Sequence, residues 1–333
     1  MKLTMPAEWE AHERTWMAWP PKNYLLGETD AEAEAARSSW ANVANAIVRF
    51  EPVSVLVTSD QLEIARAYLH QSIELIEAEL DDAWMRDSGP TFVKDDSGNL
   101  MAVNWIFNGW GAQGWSTWDK DNLVANFIGK LSGKAVVDST LINEGGGIHV
   151  NGAGVVLLTE TVQLGEGRNS SWTKQEVEAE IHEKLGTQRA IWVKRGLTRD
   201  YDGYGTRGHI DIVACFASEN VILYHDQQDP SHPDFEVSKE VKATLEAAGG
   251  FEVIGVPAPT ILRDEEDFVD YSYINHYIVN GAVILCSFND PNDAVAKGIL
   301  EKVYPGREIV LVDATEIFAR GGGIHCITQQ QPA

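Results

Sequence analysis

The sequence predicts a mixed α/β fold in which five similar units surround one axis. Helical segments alternate with short runs of β-branched residues along the chain, and no low-complexity linker separates them. The pentapeptide GGGIH occurs at residues 145–149 and again at residues 321–325, which indicates internal repetition. We therefore expect residues 1–333 to form one domain.

Helices are predicted where hydrophobic residues recur every three or four positions, in most cases after a capping residue. Four such segments begin at Thr29, Thr173, Val237 and Asp290, and a weaker candidate spans residues 119–130. In the segment that follows Asp290, we expect Val295, Ile299 and Val303 to face the core because they share one helical face. Pro305 should end this helix.

Strands are predicted at β-branched runs, namely residues 53–57, 155–158, 221–223, 283–285 and 309–312. Strand–turn–strand units open near residues 87, 149, 209, 276 and 326. Turn sequences such as Asn151-Gly152 and Asn280-Gly281 separate the two strands of a unit. If the five units, each with a helix, close around an axis, their first residues meet at a shared centre.

The composition restricts the classes of ligand. There are 50 acidic residues against 26 basic ones, which gives a formal net charge of −24. Such a charge repels the phosphates of nucleic acids and of anionic membranes, so neither is expected as a partner. It suits a small cationic ligand, although it would equally keep the protein soluble. Eleven tryptophans suggest aromatic walls in addition to ordinary packing.

The three cysteines are an odd and sparse number, which indicates a reducing compartment rather than a disulfide framework. The first residues lack the apolar core of a signal peptide, and no apolar run reaches membrane-spanning length. A cytoplasmic protein is therefore expected. Because no CxxC or HExxH spacing is present, neither a metal nor a cofactor is expected.

Cys326 follows the second GGGIH segment, whereas Val150 holds the equivalent position after the first. Three glycines allow the backbone unusual torsions and close approach to a ligand, and such a loop can present a nucleophile. On this pattern alone, a structural cysteine is an equally good interpretation. Cys215 and Cys286 lie within apolar runs and are interpreted as buried core residues.

His209 and Asp211 are expected to share one face of a strand, because alternate strand residues point the same way. A polar pair there indicates either a functional face or a solvated strand start. His325 immediately precedes Cys326, but adjacent strand residues face opposite sides. His209 is therefore the better candidate for a base that serves Cys326.

Asp87 lies in the segment WMRDSGP, residues 84–90, which indicates either a functional loop or an ordinary turn. Glu144 precedes the first triple glycine and would need a partner such as histidine if it were buried. Carboxylates close to Cys326 would raise the pKa of its thiol. Such a centre suits a substrate that brings positive charge, and a guanidinium binds carboxylates through a fork of N–H donors.

These residues resemble those of the agmatine deiminases and the related bacterial peptidyl-arginine deiminases, in the pentein (guanidino-group-modifying) superfamily. The resemblance runs from residue 5 to the C-terminus. It rests on the segments WMRDSGP (84–90), EGG (144–146), GHID (208–211) and GGGIHCITQQ (321–330). It implies a five-bladed, pseudo-symmetric α/β propeller that forms a single catalytic domain over residues 1–333.

The resemblance also implies a role for each site residue. Cys326 would be the nucleophile and His209 the general acid and base, with Glu144 beside the imidazole to orient it. Asp87 and Asp211 would bind the guanidinium group. The implied reaction converts agmatine to N-carbamoylputrescine and ammonia through a covalent amidino-thioether on the cysteine, as a step of putrescine biosynthesis.

Two positions depart from the family pattern. Family members often carry a further residue, usually Asn, before Ile-His-Cys, but here Gly323 precedes Ile324 directly. A polar residue often follows His-x-Asp, and here that residue is Ile212. Trp84 is implied to pack on the alkyl chain of the substrate. The two departures bear on recognition of the far end of the substrate.

Three alternatives stay open at this point. Free arginine or another guanidino compound could be the substrate, and arginine would need a counter-ion such as Arg207 or Arg86 for its carboxylate. An amidinotransferase would pass the amidino group to an amine instead of water. A non-enzymatic pentein binding protein belongs to a different class altogether. Because family members often form homo-oligomers, self-association is an expectation as well.

Overall fold

The computed structural model describes residues 2–333, and the secondary structure within that range is mixed. The strands are β1 His12–Ala18, β2 Val53–Val57, β3 Glu74–Glu77, β4 Thr91–Lys94, β5 Leu100–Ile106, β6 Ala135–Ile142, β7 Ile148–Val150, β8 Val155–Thr159, β9 Arg189–Val193, β10 Ala214–Ser218, β11 Val221–Asp226, β12 Glu252–Pro257, β13 Tyr277–Val279, β14 Ala282–Ser287, β15 Glu308–Asp313 and β16 Thr328–Pro332. The α-helices are α1 Asp30–Ile47, α2 Leu62–Tyr68, α3 Met85–Ser88, α4 Gly109–Ala112, α5 Val124–Leu131, α6 Glu160–Gln163, α7 Lys174–Leu185, α8 Asp234–Ala248, α9 Asn292–Val303 and α10 Thr315–Phe318. Within residues 2–333, no helix is both long enough and apolar enough to cross a membrane.

The strands form five small sheets, which confirms the predicted five-fold repetition. In four of the sheets, the first two strands are antiparallel and the third runs parallel to the second. A parallel pair needs a crossover connection, and a helix supplies it each time: α5, α7, α8 and α9. The fifth sheet has the order β16–β1–β2–β3, so the C-terminal strand pairs with the N-terminal one.

The helix predictions are confirmed where capping chemistry specified them. Thr29 and Thr173 both form capping boxes, with side chains that accept from the backbone N–H three residues later. Gly186 closes α7 in the left-handed conformation, with φ of 70°. The weaker candidate near residues 119–130 corresponds to α5 and the 3₁₀ turn before it.

The predicted inner face of α9 is wrong at one of its three positions, because Ile299 and Val303 are partly buried and pack against the core but Val295 does not. Val295 is 47% exposed, whereas Ala296 and Leu300 are fully buried. The helix carries two adjacent apolar stripes, and their periodicity is the same. We attribute the burial of the Ala296 and Leu300 stripe to side-chain size, because the small side chain of Ala296 allows the helix to approach the sheet below it more closely than a β-branched residue would.

The opening segments of the units meet, as the repeat predicted. Helix α3 contacts both the 3₁₀ turn Gly145–Gly147 and strand β16. The turn Gly145–Gly147 in turn contacts the 3₁₀ turn Ile210–Ile212. Residues before or within these elements therefore form a common centre, although they lie far apart in the sequence.

Candidate active site

Cys326 lies buried in the loop that leads into β16, where close packing requires glycine. A Cβ atom on Gly322 would lie 2.7 Å from the ring of Trp84 and 3.1 Å from Cys326 Sγ. A Cβ atom on Gly323 would lie 2.4 Å from Oδ1 of Asn275, a residue whose Nδ2 donates to Cys326 Sγ over 3.3 Å. The triple glycine thus lets an aromatic wall and a polar side chain reach the thiol, as the sequence suggested.

The Cys326 thiol faces carboxylates rather than cations. Its Sγ atom lies 3.6 Å from Oδ2 of Asp211. Burial, with the charges of Asp211 and Asp87, raises the pKa of the Cys326 thiol well above its usual range. In the resting protein the sulfur is therefore held as a neutral thiol, and a cation bound between the two aspartates would reverse that preference.

His209 is not in a strand, so the predicted strand geometry of residues 209–211 is wrong. It precedes the 3₁₀ turn Ile210–Ile212, and its backbone N–H donates to Oδ2 of Asp200 over 3.1 Å. The same oxygen also accepts from the N–H of Gly208, whose φ is 112°. A buried carboxylate, absent from the sequence prediction, thus holds the loop in a conformation that glycine permits.

The imidazole of His209 lies between two carboxylates. Nε2 is 3.4 Å from Oε2 of Glu144, and Nδ1 is 3.8 Å from Oδ1 of Asp87. Burial opposes the charged form of His209, but the charges of Asp87, Glu144 and Asp211 outweigh it and raise its pKa to about 9. At neutral pH the ring is therefore an imidazolium that can donate a proton.

Glu144 is fully buried, and its main partner is Arg168 rather than histidine alone. Arg168 Nε lies 3.0 and 3.1 Å from the two carboxylate oxygens, while Nη2 donates to the carbonyl of Thr206. Burial would raise the pKa of Glu144, but Arg168 and His209 together lower it. The sequence rule that a buried carboxylate needs a partner holds, yet it could not identify this arginine.

Asp87 is the other carboxylate that flanks His209. Its Oδ1 accepts from the N–H of Gly146 over 3.0 Å, and its Oδ2 accepts from Nε1 of Trp110 over 2.8 Å. Burial raises its pKa to about 6, and the nearby Asp211 and Glu144 add to the rise, while His209 opposes it. Asp87 is thus ionised at neutral pH, though by a narrow margin.

Aromatic side chains extend from this centre. Trp84 Nε1 donates to the hydroxyl of Tyr24 over 2.8 Å, and Tyr24 stacks on Tyr204 with ring centroids 4.6 Å apart. Trp115 packs edge-on against Tyr24 and stacks on Trp110. Tyr204 is 43% exposed, so this aromatic wall runs from the buried centre to solvent. The tryptophan-rich composition predicted such a wall without locating it.

The structure brings all six predicted site residues into one region. Asp211 contacts Cys326, and His209 is flanked by Asp87 and Glu144. Trp84 lies against the glycine loop. Sequence reasoning missed several residues that complete the centre: Glu8, Trp110, Arg168, Asp200 and Asn275. None of these lies in a recognisable motif, and each comes from a separate segment: Trp110 from the short helix α4, Asp200 from a 3₁₀ turn and the others from loops.

The fold and this centre together define the class: the chain is a pentein protein, with five α/β units around buried polar residues. More specifically, it belongs to the Porphyromonas-type peptidyl-arginine deiminase family, whose sequence profile matches residues 4–332.

Full-length relatives carry the name agmatine deiminase. A Streptomyces coelicolor protein, provisionally so named, is 56% identical over 339 residues and covers 100% of this chain and 99% of the relative. The agmatine deiminase of Pseudomonas aeruginosa is 39% identical, with 99% of this chain and 95% of the relative covered. The solved structure of the Enterococcus faecalis agmatine deiminase superposes with a TM-score of 0.91 at 31% identity, covering 99% and 96% of the two chains.

Proposed function

We propose that the protein hydrolyses the guanidino group of agmatine to give N-carbamoylputrescine and ammonia, with Cys326 as nucleophile. The observation that carries the proposal is a buried thiol set among carboxylates, 3.6 Å from Asp211, in a chain 56% identical to a provisionally named agmatine deiminase. Carboxylates beside a thiol are unfavourable unless a cation joins them, and a guanidinium is a planar cation with several N–H donors.

Binding is proposed to prepare the nucleophile. The guanidinium group lies between Asp87 and Asp211, whose charges then act on the substrate instead of on the sulfur. The positive charge also lowers the pKa of the Cys326 thiol, so that its proton leaves to solvent. Trp84 packs on the alkyl chain of the substrate, which directs the guanidinium carbon towards the sulfur.

The reaction then proceeds in two halves. The thiolate of Cys326 attacks the guanidinium carbon and forms a C–S bond, which gives a tetrahedral species. His209, an imidazolium at neutral pH, donates its proton to one nitrogen, and the C–N bond breaks to release ammonia. The product of this half is an amidino-thioether on the cysteine.

The second half regenerates the enzyme. Neutral His209 takes a proton from water, and the resulting hydroxide attacks the amidino carbon. The C–S bond breaks, the hydroxyl proton passes to the departing sulfur of Cys326 to restore the resting thiol, and the carbonyl of the ureido product forms as the product is released. Glu144 is proposed to hold the imidazole through its bond to Nε2 and to favour the protonated state at the start of each cycle.

Arginine is the less favoured substrate, because the site would need a cation for its carboxylate. Arg86 cannot serve, since it is buried, donates to Oε1 of Gln330 over 2.7 Å and faces Glu8. Arg207 is partly exposed and is the other candidate. If arginine were the true substrate, Arg207→Gln should raise the KM for arginine and leave the KM for agmatine unchanged.

Ammonia release tests the proposal directly. Purified protein should release ammonia from agmatine, Cys326→Ala should abolish the release, and Cys215→Ala should retain it because that thiol lies in a core strand. Ammonia release that persists in Cys326→Ala would overturn the assignment of the nucleophile. Product analysis with an added primary amine separates the alternative, because an amidinotransferase would release the amine part of agmatine instead of ammonia and would convert the added amine to a guanidino compound.

We further propose that residues 1–333 act as one catalytic unit in the cytoplasm, within putrescine biosynthesis. All three cysteines are free, which supports a reducing compartment. Self-association of several copies is also proposed, and light scattering of the purified protein tests it.

A further inference from the structure

A row of three buried charged groups, Asp211, His325 and Glu8, starts at Asp211 Oδ2, the oxygen that also lies 3.6 Å from the Cys326 thiol. Asp211 Oδ2 lies 2.8 Å from Nδ1 of His325, and Nε2 of the same ring lies 2.9 Å from Oε2 of Glu8. Glu8 Oε1 in turn accepts from the backbone N–H of Ile278 over 2.9 Å. The side chains of Asp211, His325 and Glu8 are all buried.

The geometry determines the protonation state of His325. A neutral imidazole has one N–H donor, but here both ring nitrogens face carboxylate oxygens at hydrogen-bond distance. Both carboxylates are satisfied only if both nitrogens carry protons. Burial and the nearby Arg86 would lower the pKa of His325, but Glu8 and Asp211 outweigh them and raise it.

Among the surrounding titratable groups, Arg86 opposes this charge and is outweighed by the two carboxylates. On the thiol side, the row of charged groups faces Cys326, Asp87 and His209. On the far side, the neighbouring histidines are neutral, because burial lowers the pKa of His149 to about 3 and that of His276 to about 4. The other groups on that side are the guanidinium of Arg86, the hydroxyls of Tyr277 and Tyr304, and the thiol of Cys215.

The two oxygens of Asp211 differ in consequence. Oδ2 contacts both His325 and the Cys326 thiol, whereas Oδ1 is buried and has no hydrogen-bond partner among residues 2–333. A buried carboxylate oxygen without a partner is unfavourable unless a ligand completes it. The orientation that His325 imposes therefore leaves one oxygen of Asp211 free for an N–H group of a bound cation.

We propose that His325 is a positioning residue: held by Glu8 as an imidazolium, it keeps Asp211 ionised and turned so that Oδ1 accepts from the guanidinium of the substrate. The substrate part of this inference rests on the proposed function. His325 does not touch the reacting atoms and acts through Asp211.

A pair of isosteric variants separates the two bonds of the ring. In His325→Asn, the side-chain amide can replace Nδ1 and still donate to Asp211. In His325→Gln, the amide reaches the position of Nε2, so it can donate to Glu8 but not to Asp211. His276→Gln is the matched control, because His276 is also buried close to His325 but bonds to Tyr304 and a backbone carbonyl.

The readout is agmatine affinity between pH 5 and 8, measured by calorimetry in the Cys326→Ala background so that no turnover occurs. In the background protein the pKa of Asp211 is lowered, because His325 outweighs the effect of burial. Asp211 should therefore stay ionised across this range, and affinity should fall only as Asp87, whose pKa is about 6, gains a proton. In His325→Gln, burial would raise the pKa of Asp211. Affinity should then fall by about tenfold or more, increasingly so as the pH falls through that pKa.

His325→Asn should retain most of the affinity, and His276→Gln all of it. An affinity in His325→Gln that equals that of the background protein at every pH would overturn the proposal, as would equal losses in the Asn and Gln variants. Nitrogen-15 NMR of the unsubstituted protein gives a test that needs no variant. Both nitrogens of His325 should stay protonated at pH 7, and a neutral ring would refute the inference. If the background protein binds no agmatine, the proposed function fails, while the NMR result still decides the state of His325.

Discussion

Replacement of Glu144 by Gln should lower the pKa of His209, so that the imidazole no longer carries the proton that it donates to the departing nitrogen. The pKa of His209 is raised from 6.5 to about 9, which corresponds to a preference of about 3.4 kcal/mol for the imidazolium. Glu144 contributes through a hydrogen bond as well as its charge. Loss of the Glu144 carboxylate also leaves the positive charge of Arg168, whose Nε lies 3.0 Å from Glu144 Oε1, without a partner. We therefore expect the pKa of His209 to fall by about 2, to about 7.

The assay is an NMR titration of histidine-labelled protein, with the His209 signal assigned from a His209→Gln sample. At pH 8, about nine-tenths of the wild-type rings should be protonated, against about one-tenth in Glu144→Gln. The rate of ammonia release at pH 8 should fall accordingly. Glu160→Gln, which removes a surface carboxylate paired with Lys174, serves as the control and should change neither quantity.

A double variant guards against a trivial loss of folding. An arginine left buried without its carboxylate costs about 3–5 kcal/mol, so Glu144→Gln could be poorly stable. Glu144→Gln with Arg168→Met removes both charges, and the pKa of His209 should then lie between the wild-type and single-variant values. A His209 that still titrates near 9 in the folded single variant would refute the electrostatic reasoning.

Further predictions concern close packing and hydrogen bonding. A Cβ atom on Gly146 would lie 2.5 Å from Nδ1 of His209 and 2.9 Å from Oδ1 of Asp87, so Gly146→Ala should lower kcat/KM for agmatine at least about a hundredfold, and an active variant would contradict the packing described. Gly298 lies in α9 with no atom within 4 Å of a built Cβ, so Gly298→Ala should raise the free energy of unfolding by about 0.5–1 kcal/mol in urea titrations without changing activity. Trp110→Phe removes the N–H that Asp87 accepts, so the already raised pKa of Asp87 should rise further, and less of it is ionised at a given pH. The KM for agmatine should then increase most steeply below pH 7, and a parallel increase at every pH would argue against this cause.

The architecture was predictable because its signals are local. Capping boxes, Asn-Gly turns and β-branched runs act within a few residues, and the repeat of GGGIH connected distant units. The pairing of β16 with β1 was not predictable in this way, since no local signal links residues at opposite ends of the chain. The exposure of Val295 on α9 was missed for a similar reason, because two apolar stripes of equal periodicity compete and only the sheet beneath decides which is buried more deeply.

The residues of the candidate site also divide into those that a sequence motif marks and those that only the structure identifies. Cys326, Asp211 and Glu144 open repeated units or lie beside glycine motifs, so their positions in the sequence marked them. Arg168, from a loop, and Trp110, from the short helix α4, complete the centre without lying in a motif. Only the three-dimensional structure pairs them with Glu144 and Asp87. Chemistry predicts that buried carboxylates have partners, but not which residues those partners are.

The central claim is that a covalent amidino group forms on one particular sulfur. Rapid acid quenching of the enzyme with agmatine, followed by mass spectrometry of the peptides, measures this directly. The account predicts a mass increase equal to agmatine less one ammonia on the peptide that contains Cys326, and no such increase on the peptides with Cys215 or Cys286. An adduct on either of those residues, or turnover with no adduct at any quench time, would contradict it.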